Sequence, residues 1–141
     1  MIEILFRGKR KDNGEWVEGG YYREDYTDNV YITFWNSFGL GFMDACQVDP
    51  DTVGQYTGLT DKNGKRIFEG DVVAQSWYDF DEPADDCFGE VLYWVGDCSF
   101  SVLDLNKNEL MSMGQGCSYH WEAEVIGNIH DNPELLEVSH E

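Results

Sequence analysis

The stretch FGEVLYWVGDCSFSVLDL, residues 88–105, decides the fold of this chain. Its first part, 88–95, is apolar on both faces at its centre, and its second part, 98–105, alternates apolar and polar side chains. Alternation with a period of two is typical of a strand, and the Gly96-Asp97 pair between the two parts suits a tight turn. The stretch therefore predicts a β-hairpin.

The rest of the chain consists of short apolar segments between turn residues, which indicates a small and mainly β protein. Further strands are predicted at 2–7, 15–23, 29–35, 40–48, 71–78 and 121–130. Asn132 and Pro133 predict a short C-terminal helix, with Asn132 as its cap. Pro50 cannot donate to a strand ladder. We therefore expect an N-terminal β region over 1–50 and a second region over 51–141, or one integrated domain.

Glycine and asparagine mark the predicted turns, because they accept the positive φ angles that tight turns require. The predicted turn residues are Asn13, Gly14, Gly54, Gly58, Asn63, Gly64 and Gly70. The segments 13–19 and 63–70 share an Asn-Gly pair, two apolar residues and a Glu-Gly pair. We interpret this likeness as two hairpins with the same turn chemistry rather than as a true repeat. Residues 79–86 are predicted to form an acidic loop.

Net charge limits the classes of partner. The 141 residues include 28 acidic and nine basic side chains, a net of −19, and residues 67–141 hold 17 acidic side chains against Lys107. Such a field repels duplex nucleic acid and attracts basic partners. Apolar runs are too short for a membrane span of about 20 residues, and the basic cluster at 7–11 follows the first apolar run, the wrong order for a signal peptide. We expect a cytoplasmic protein that does not enter a membrane.

Two segments carry a resemblance to a known family. They are VDPDTVGQYTGLTDKNGKRIFEGDVV, residues 48–73, and EVIGNIHDNPELL, residues 124–136. The chain resembles the YopX-like proteins of bacteriophages and prophages over nearly its whole length, and the segments 6–8 and 16–19 fit more loosely. The resemblance implies a small SH3-like barrel in the C-terminal part and a phage or prophage origin. It supplies no activity and no catalytic residues.

An aromatic and acidic segment is the candidate site for a protein partner. Its members are Trp77, Tyr78, Asp79, Phe80, Asp81, Glu82, Asp85, Asp86 and Phe88. Exposed aromatic side chains beside carboxylates suit a basic or proline-containing ligand. The carboxylates lack the spacing of an EF-hand, so we interpret them as a solvated segment rather than as a cation site.

Basic residues are concentrated at the two Asn-Gly hairpins. Arg10 and Lys11 flank the first turn, and Lys62, Lys65 and Arg66 flank the second. If the hairpins converged, they would form a positive patch for nucleic acid. The net charge favours the alternative, in which these side chains are solvated hairpin tips.

The cysteines and histidines offer a weak metal candidate. Cys117 and His120 form a C-x-x-H pair, with Cys98 and Cys87 upstream. Ten residues separate Cys87 from Cys98, where zinc sites have about two to four. The sequence holds no catalytic Ser-His-Asp grouping and no phosphate-binding glycine loop. We therefore expect no metal, no cofactor and no enzymatic activity.

The expected function is a non-catalytic interaction module that binds a host protein, a phage protein or a second copy of this chain. Two alternatives remain open. The acidic C-terminal half favours a decoy of nucleic acid that occupies a DNA- or RNA-binding protein. The basic hairpins favour weak binding of nucleic acid itself.

Overall fold

A computed structural model describes residues 3–35, 43–79, 82–96, 98–106, 108–114 and 120–137. The strands are β1 (Phe6–Lys9), β2 (Trp16–Arg23), β3 (Val30–Trp35), β4 (Met43–Val48), β5 (Gly54–Thr60), β6 (Arg66–Phe68), β7 (Asp71–Asp79), β8 (Glu82–Trp94), β9 (Ser99–Asp104), β10 (Glu109–Ser112) and β11 (His120–Asn128). Two 3-10 helices, Pro50–Thr52 and Pro133–Leu136, complete the described elements. The prediction of a mainly β protein is confirmed. No helix in the described part is long and apolar enough to cross a membrane.

The chain divides into two compact units, Met1–Tyr56 and Thr57–Glu141. In the first unit the strand order is β4-β3-β2-β1-β5, and β5 continues across the division to pair with β6. In the second unit the order is β10-β9-β8-β7-β11. Every pairing with a described register is antiparallel. The division into regions 1–50 and 51–141 stays a prediction.

In the first unit, strands β1 to β4 form a meander, and the end of β4 returns to the end of β1. Val48 at the end of β4 is fully buried and forms a single antiparallel bridge with Arg10, just beyond β1. A β-carbon on Gly8 would lie 2.9 Å from Cγ2 of Val48, so only glycine allows this approach. Val30 and Ile32 of β3 complete the buried cluster. The small core of this unit thus lies on one side of the meander.

The second unit packs its core against one face of the five-stranded sheet. The buried cluster comprises Ile67, Val73, Cys87, Val91, Val102 and Ala123. Gln75 of β7 is almost fully buried, and both ends of its amide are used. Its Nε2 donates to the carbonyl of Ser112 in β10 at 3.2 Å, and its Oε1 accepts from the indole N–H of Trp121 in β11 at 3.0 Å. Because β10 and β11 are the two edges of the sheet, these bonds indicate that the sheet curls around Gln75.

The structure differs from several sequence predictions. Neither sheet closes on itself within the described ranges, so the predicted SH3-like barrel is not confirmed. The predicted C-terminal helix is not confirmed either, because Pro133–Leu136 is a single 3-10 turn. Asn132 makes no cap hydrogen bond with its side chain, and its Oδ1 instead accepts from the backbone N–H of Asn128 at 3.3 Å.

The predicted acidic loop over 79–86 is wrong, because β8 begins at Glu82 and pairs with β7 from there. Ladder hydrogen bonds of a long hairpin outweigh the low strand propensity of acidic residues. Gly54 and Gly58, expected in turns, lie within β5. Gly14 and Gly64 have positive φ angles of 73° and 81°, as predicted, but Asn13 and Asn63 do not have the positive φ that the sequence predicts for them. The glycine alone supplies the left-handed position of each turn.

Candidate functional site

A shallow groove runs along the outer face of the second sheet, opposite its core. Alternate residues of a strand point to opposite faces. Val73 and Gln75 of β7 therefore face the core, while Ala74, Ser76 and Tyr78 face outward. The short side chains of Ala74 and Ser76 make the floor of the groove.

Side chains of the neighbouring strands β11 and β8 form walls on both sides of this floor. On β11, Glu124 lies opposite Ala74 and Glu122 lies opposite Ser76. On β8, Phe88 lies opposite Ala74 and Asp86 lies opposite Ser76. We call this surface the outer groove and define it by Ala74, Ser76, Tyr78, Asp86, Phe88, Glu122 and Glu124. Each floor residue has a carboxylate on at least one side.

Two small cavities open in the outer groove and share Ala74 and Ser76. The cavity towards β11, of about 180 Å³, is also lined by Lys62, Tyr78, Glu122, Ala123 and Glu124. The cavity towards β8, of about 260 Å³, is also lined by Gln75, Asp86, Cys87, Phe88, Asp104 and Asn106. Metabolite and drug-sized ligands occupy pockets of roughly 300–1,000 Å³. The two cavities therefore have the size for single side chains rather than for a cofactor.

A buried carboxylate fixes the loop that borders the first cavity. Oδ1 of Asp61 accepts from the backbone N–H groups of Asn63 and Lys65, each at 2.9 Å. Its Oδ2 accepts from the N–H of Val125 in β11 at 3.0 Å. Burial alone would raise the pKa of Asp61, but these amides and the charge of Lys65 lower it below its usual value. The second Asn-Gly hairpin is thereby attached to β11.

This attachment brings a cation to the edge of the outer groove. The backbone N–H of Lys62 donates to the carbonyl of Ala123 at 2.8 Å. The Nζ of Lys62 lies 3.4 Å from Oε2 of Glu124, and both side chains are about half exposed. An ammonium group is thus already accommodated beside a groove carboxylate.

His120 lies at the far end of the same edge. Its Nε2 is 3.3 Å from Oε1 of Glu122, and its ring centre is 6.2 Å from that of Tyr78. Cys117, the other member of the weak metal candidate, lies outside the described residues. Among the residues that the structure describes, no group of three or more His, Cys, Asp or Glu side chains could hold a metal ion.

The structure divides the predicted aromatic and acidic segment between two faces. Tyr78, Asp86 and Phe88 lie together in the outer groove, whereas Trp77 packs against the core cluster on the opposite face. Phe80 and Asp81 lie outside the described residues. Asp79, Glu82 and Asp85 are placed only by their backbone, which pairs within the β7–β8 hairpin.

The predicted basic hairpins are partly neutralised by local ion pairs. Arg10 donates from Nε and Nη2 to the two carboxylate oxygens of Asp12, at 2.9 and 2.6 Å. Lys62 pairs with Glu124, as described above. Lys11, Lys65 and Arg66 are exposed. The first hairpin belongs to the first unit, and the second hairpin belongs to the second.

Sequence reasoning missed four members of the outer groove: Ala74, Ser76, Glu122 and Glu124. A signal for the two glutamates existed, because period-two alternation places Glu122 and Glu124 on one face of the 121–130 strand. That signal did not show which strand lies beside β11. The β7–β11 register supplies this information.

Comparisons with known proteins place the chain in a family. A family model described as YopX protein matches residues 5–137. The crystal structure of protein EF1440 from Enterococcus faecalis is similar to this chain, with a TM-score of 0.51 and 25% sequence identity. The similarity covers 97% of this chain and 100% of that one. No curated protein matches the chain.

Proposed function

The chain belongs to the YopX protein family, and from that premise we propose that it is a non-catalytic protein-interaction module. The observation that carries the proposal is the outer groove, an open sheet face with aromatic and carboxylate walls. Exposed sheet faces and side-chain-sized depressions suit contact with another protein. The groove also includes three of the residues predicted from sequence, which are Tyr78, Asp86 and Phe88.

The buried polar groups of the second unit support a role without catalysis. Asp61 holds a hairpin to β11, and Gln75 joins the two sheet edges. Asp71 accepts from the N–H of Phe68 at 2.8 Å, and Asp104 accepts from the N–H of Asn106 at 2.8 Å. Each of these groups satisfies backbone or core donors and acceptors, which is the usual structural task of a buried polar side chain.

We extend the proposal to the architecture and the biological setting. The second unit is an SH3-like barrel, an arrangement that fits the meander β7-β8-β9-β10 with β11 returning beside β7. The convergence of both sheet edges on Gln75 supports the same arrangement. The protein acts as a phage or prophage accessory protein in the cytoplasm of the bacterial host.

An affinity experiment tests the function. Tagged protein is incubated with a lysate of the bacterium that carries the gene, and the resin is washed at low and then at high salt. Mass spectrometry identifies the retained proteins, with the bare tag as the control. We expect one partner that is enriched over the bare tag and is retained in part through the high-salt wash, because the aromatic and apolar contacts of the groove persist when salt screens its charges. Recovery of only the abundant proteins that also bind the bare tag would contradict an interaction module.

Charge favours one second candidate, the acidic decoy of nucleic acid. Residues 57–141 hold 18 acidic and four basic side chains, a net of −14. Contacts of this kind weaken steeply as salt rises. The same experiment separates the two functions. A partner that normally binds nucleic acid and is lost between the two washes would support the decoy and contradict the module.

A further inference from the structure

The outer groove carries a more specific assignment, which rests on the proposed interaction function. We propose that it binds an extended basic segment of a partner protein. Two Lys or Arg side chains of that segment, two positions apart, enter the two cavities on either side of β7.

Charge complementarity defines the class of partner. The described walls carry the carboxylates of Asp86, Glu122 and Glu124, and one ammonium group, that of Lys62, borders them. Lys62 shows how a cation fits, because this residue lines the cavity and its Nζ lies 3.4 Å from Oε2 of Glu124. At physiological salt, charges more than about 8 Å away are largely screened. The wall carboxylates therefore select the ligand more than the net charge of −19 does.

The floor and the aromatic walls suit long cationic side chains. Lys and Arg bury their methylene stems against apolar surface while the charged head reaches a polar group. Ala74 and Ser76 leave space for such stems. Phe88 and Tyr78 line the cavities and are partly buried, and aromatic rings attract both the stems and the charged heads of such side chains.

The geometry of the sheet sets the spacing of the two side chains. One cavity lies between β7 and β11, and the other extends from β7 across β8 to Asp104 and Asn106, so their centres lie more than one strand spacing apart. Neighbouring strands lie about 4.8 Å apart, and side chains on one face of an extended peptide are about 7 Å apart. An extended segment that crosses β7 therefore places residues i and i+2 over the two cavities.

Titration calorimetry in about 0.15 M salt tests the assignment with three capped peptides. The first is Gly-Ser-Arg-Ser-Arg-Ser-Gly, the second has glutamine in place of both arginines, and the third has the two arginines adjacent. We expect the first peptide to bind the full-length protein at least about tenfold more tightly than the second. It should also bind more tightly than the third. Equal affinity for the first and third peptides would overturn the spacing.

A larger side chain at Ser76 tests whether binding depends on the shape of the outer groove or only on the net charge of the chain. Ser76→Ile keeps every charge and suits a strand, and we expect it to weaken binding of the first peptide about tenfold. Ser99→Ile, on an exposed position of β9, is the matched control and should leave binding within about twofold. Equal binding by both variants would overturn the proposal.

A gain of affinity provides a test that misfolding cannot imitate. Lys62→Met removes the internal competitor for Glu124, so we expect binding to strengthen about threefold. Lys65→Met lies in the same hairpin and makes the same change in net charge, and we expect little gain from it. The same gain in both variants would show that the net negative charge of the chain attracts the peptide, and it would overturn the groove assignment.

Two further results distinguish this assignment from the proposed function. A partner that survives high salt and binds Ser76→Ile as tightly as wild type would leave the interaction module standing and overturn the groove. Self-association of the purified protein that Ser76→Ile abolishes, measured by sedimentation, would assign the groove to a second copy of this chain instead.

Discussion

The hairpin at Asn13-Gly14 and the hairpin at Asn63-Gly64 turn the chain with the same residues and nearly the same glycine φ angles. Each hairpin also makes a backbone bond to another strand, from Lys11 to Gln47 and from Lys62 to Ala123. Their side-chain attachments differ. At the first turn, Oδ1 of Asn13 accepts from the N–H of Glu15 at 2.9 Å, a contact within the turn itself. At the second turn, the carboxylate of Asp61 binds two turn amides and also Val125, 64 residues away.

The Asn-Gly pairs determine where the chain reverses in both hairpins. The buried carboxylate of Asp61 determines that the second hairpin lies beside β11 and borders the outer groove. The first hairpin ends in an exposed Arg10–Asp12 pair. The second hairpin holds Lys62 beside Glu124 at the edge of the outer groove. Four predictions test this comparison, from the largest expected effect to the smallest.

Removal of the Asp61 carboxylate should have the largest effect. Asp61→Ala leaves three backbone N–H groups without their acceptor, and a hydrogen bond to a charged group contributes a net of about 1.5–3 kcal/mol. Water can replace the carboxylate at the exposed residues Asn63 and Lys65, so the three contributions do not add in full. We expect a loss of about 3 kcal/mol in the free energy of unfolding, measured by urea denaturation. Asn13→Ala, the counterpart at the first turn, should cost about 0.5–1 kcal/mol. Equal losses in the two variants would contradict the comparison.

The two turn glycines should behave alike. A β-carbon on Gly14 or Gly64 meets no atom within 4 Å, so only the positive φ opposes alanine. We expect Gly14→Ala and Gly64→Ala each to cost about 1–2 kcal/mol, measured by thermal denaturation of both variants under one condition. A much larger loss of stability for Gly64→Ala than for Gly14→Ala would show that the two hairpins differ in the turn itself rather than in the contacts of Asp61.

Acid should remove the stabilisation that the ionised Asp61 carboxylate provides. The pKa of this carboxyl is lowered in the folded state. Its stabilisation is therefore fully present above the unfolded value of about 3.9 and is lost as pH falls through the lower folded value. We expect the stability difference between wild type and Asp61→Asn to be constant near neutral pH and to shrink below about pH 4. Urea titrations across this range measure it, and a difference that grew in acid would contradict the assigned pKa direction.

The exposed pair at the first hairpin should matter least. The hydrogen bond from Arg10 lowers the pKa of Asp12, but both groups are open to solvent and salt screens such pairs. We expect Asp12→Asn to change the melting temperature little at low salt and not measurably at high salt. A salt-independent loss would give Asp12 a structural role beyond its pair with Arg10.

The sequence predicts much of this arrangement where the cause is local. Both Asn-Gly pairs are hairpin turns, and alternation along 121–130 places Glu122 and Glu124 on one face. Local patterns fail where the partner is distant. The clamp from Asp61 to Val125 depends on a strand 64 residues away. The residues after Pro83 look like an acidic loop in sequence, yet they extend β8 because β7 supplies a hydrogen-bonding partner.

The direction of Trp77 illustrates the same limit within the candidate site. Trp77 and Tyr78 are adjacent aromatic residues, and the sequence predicts that both belong to the candidate site. Strand geometry sends adjacent side chains to opposite faces, and the core lies on the side of Trp77. Composition identified the right segment, but only the strand register shows which half of it borders Ala74 and Ser76.

The outer groove is the surface that we expect to meet the partner. The most direct measurement repeats the affinity capture with wild type, Ser76→Ile and Ser99→Ile side by side, after circular dichroism has shown that all three fold alike. We predict that the partner retained by wild type is retained by Ser99→Ile and lost from Ser76→Ile. Retention of that partner by all three proteins would contradict the central claim and move the interaction to another surface.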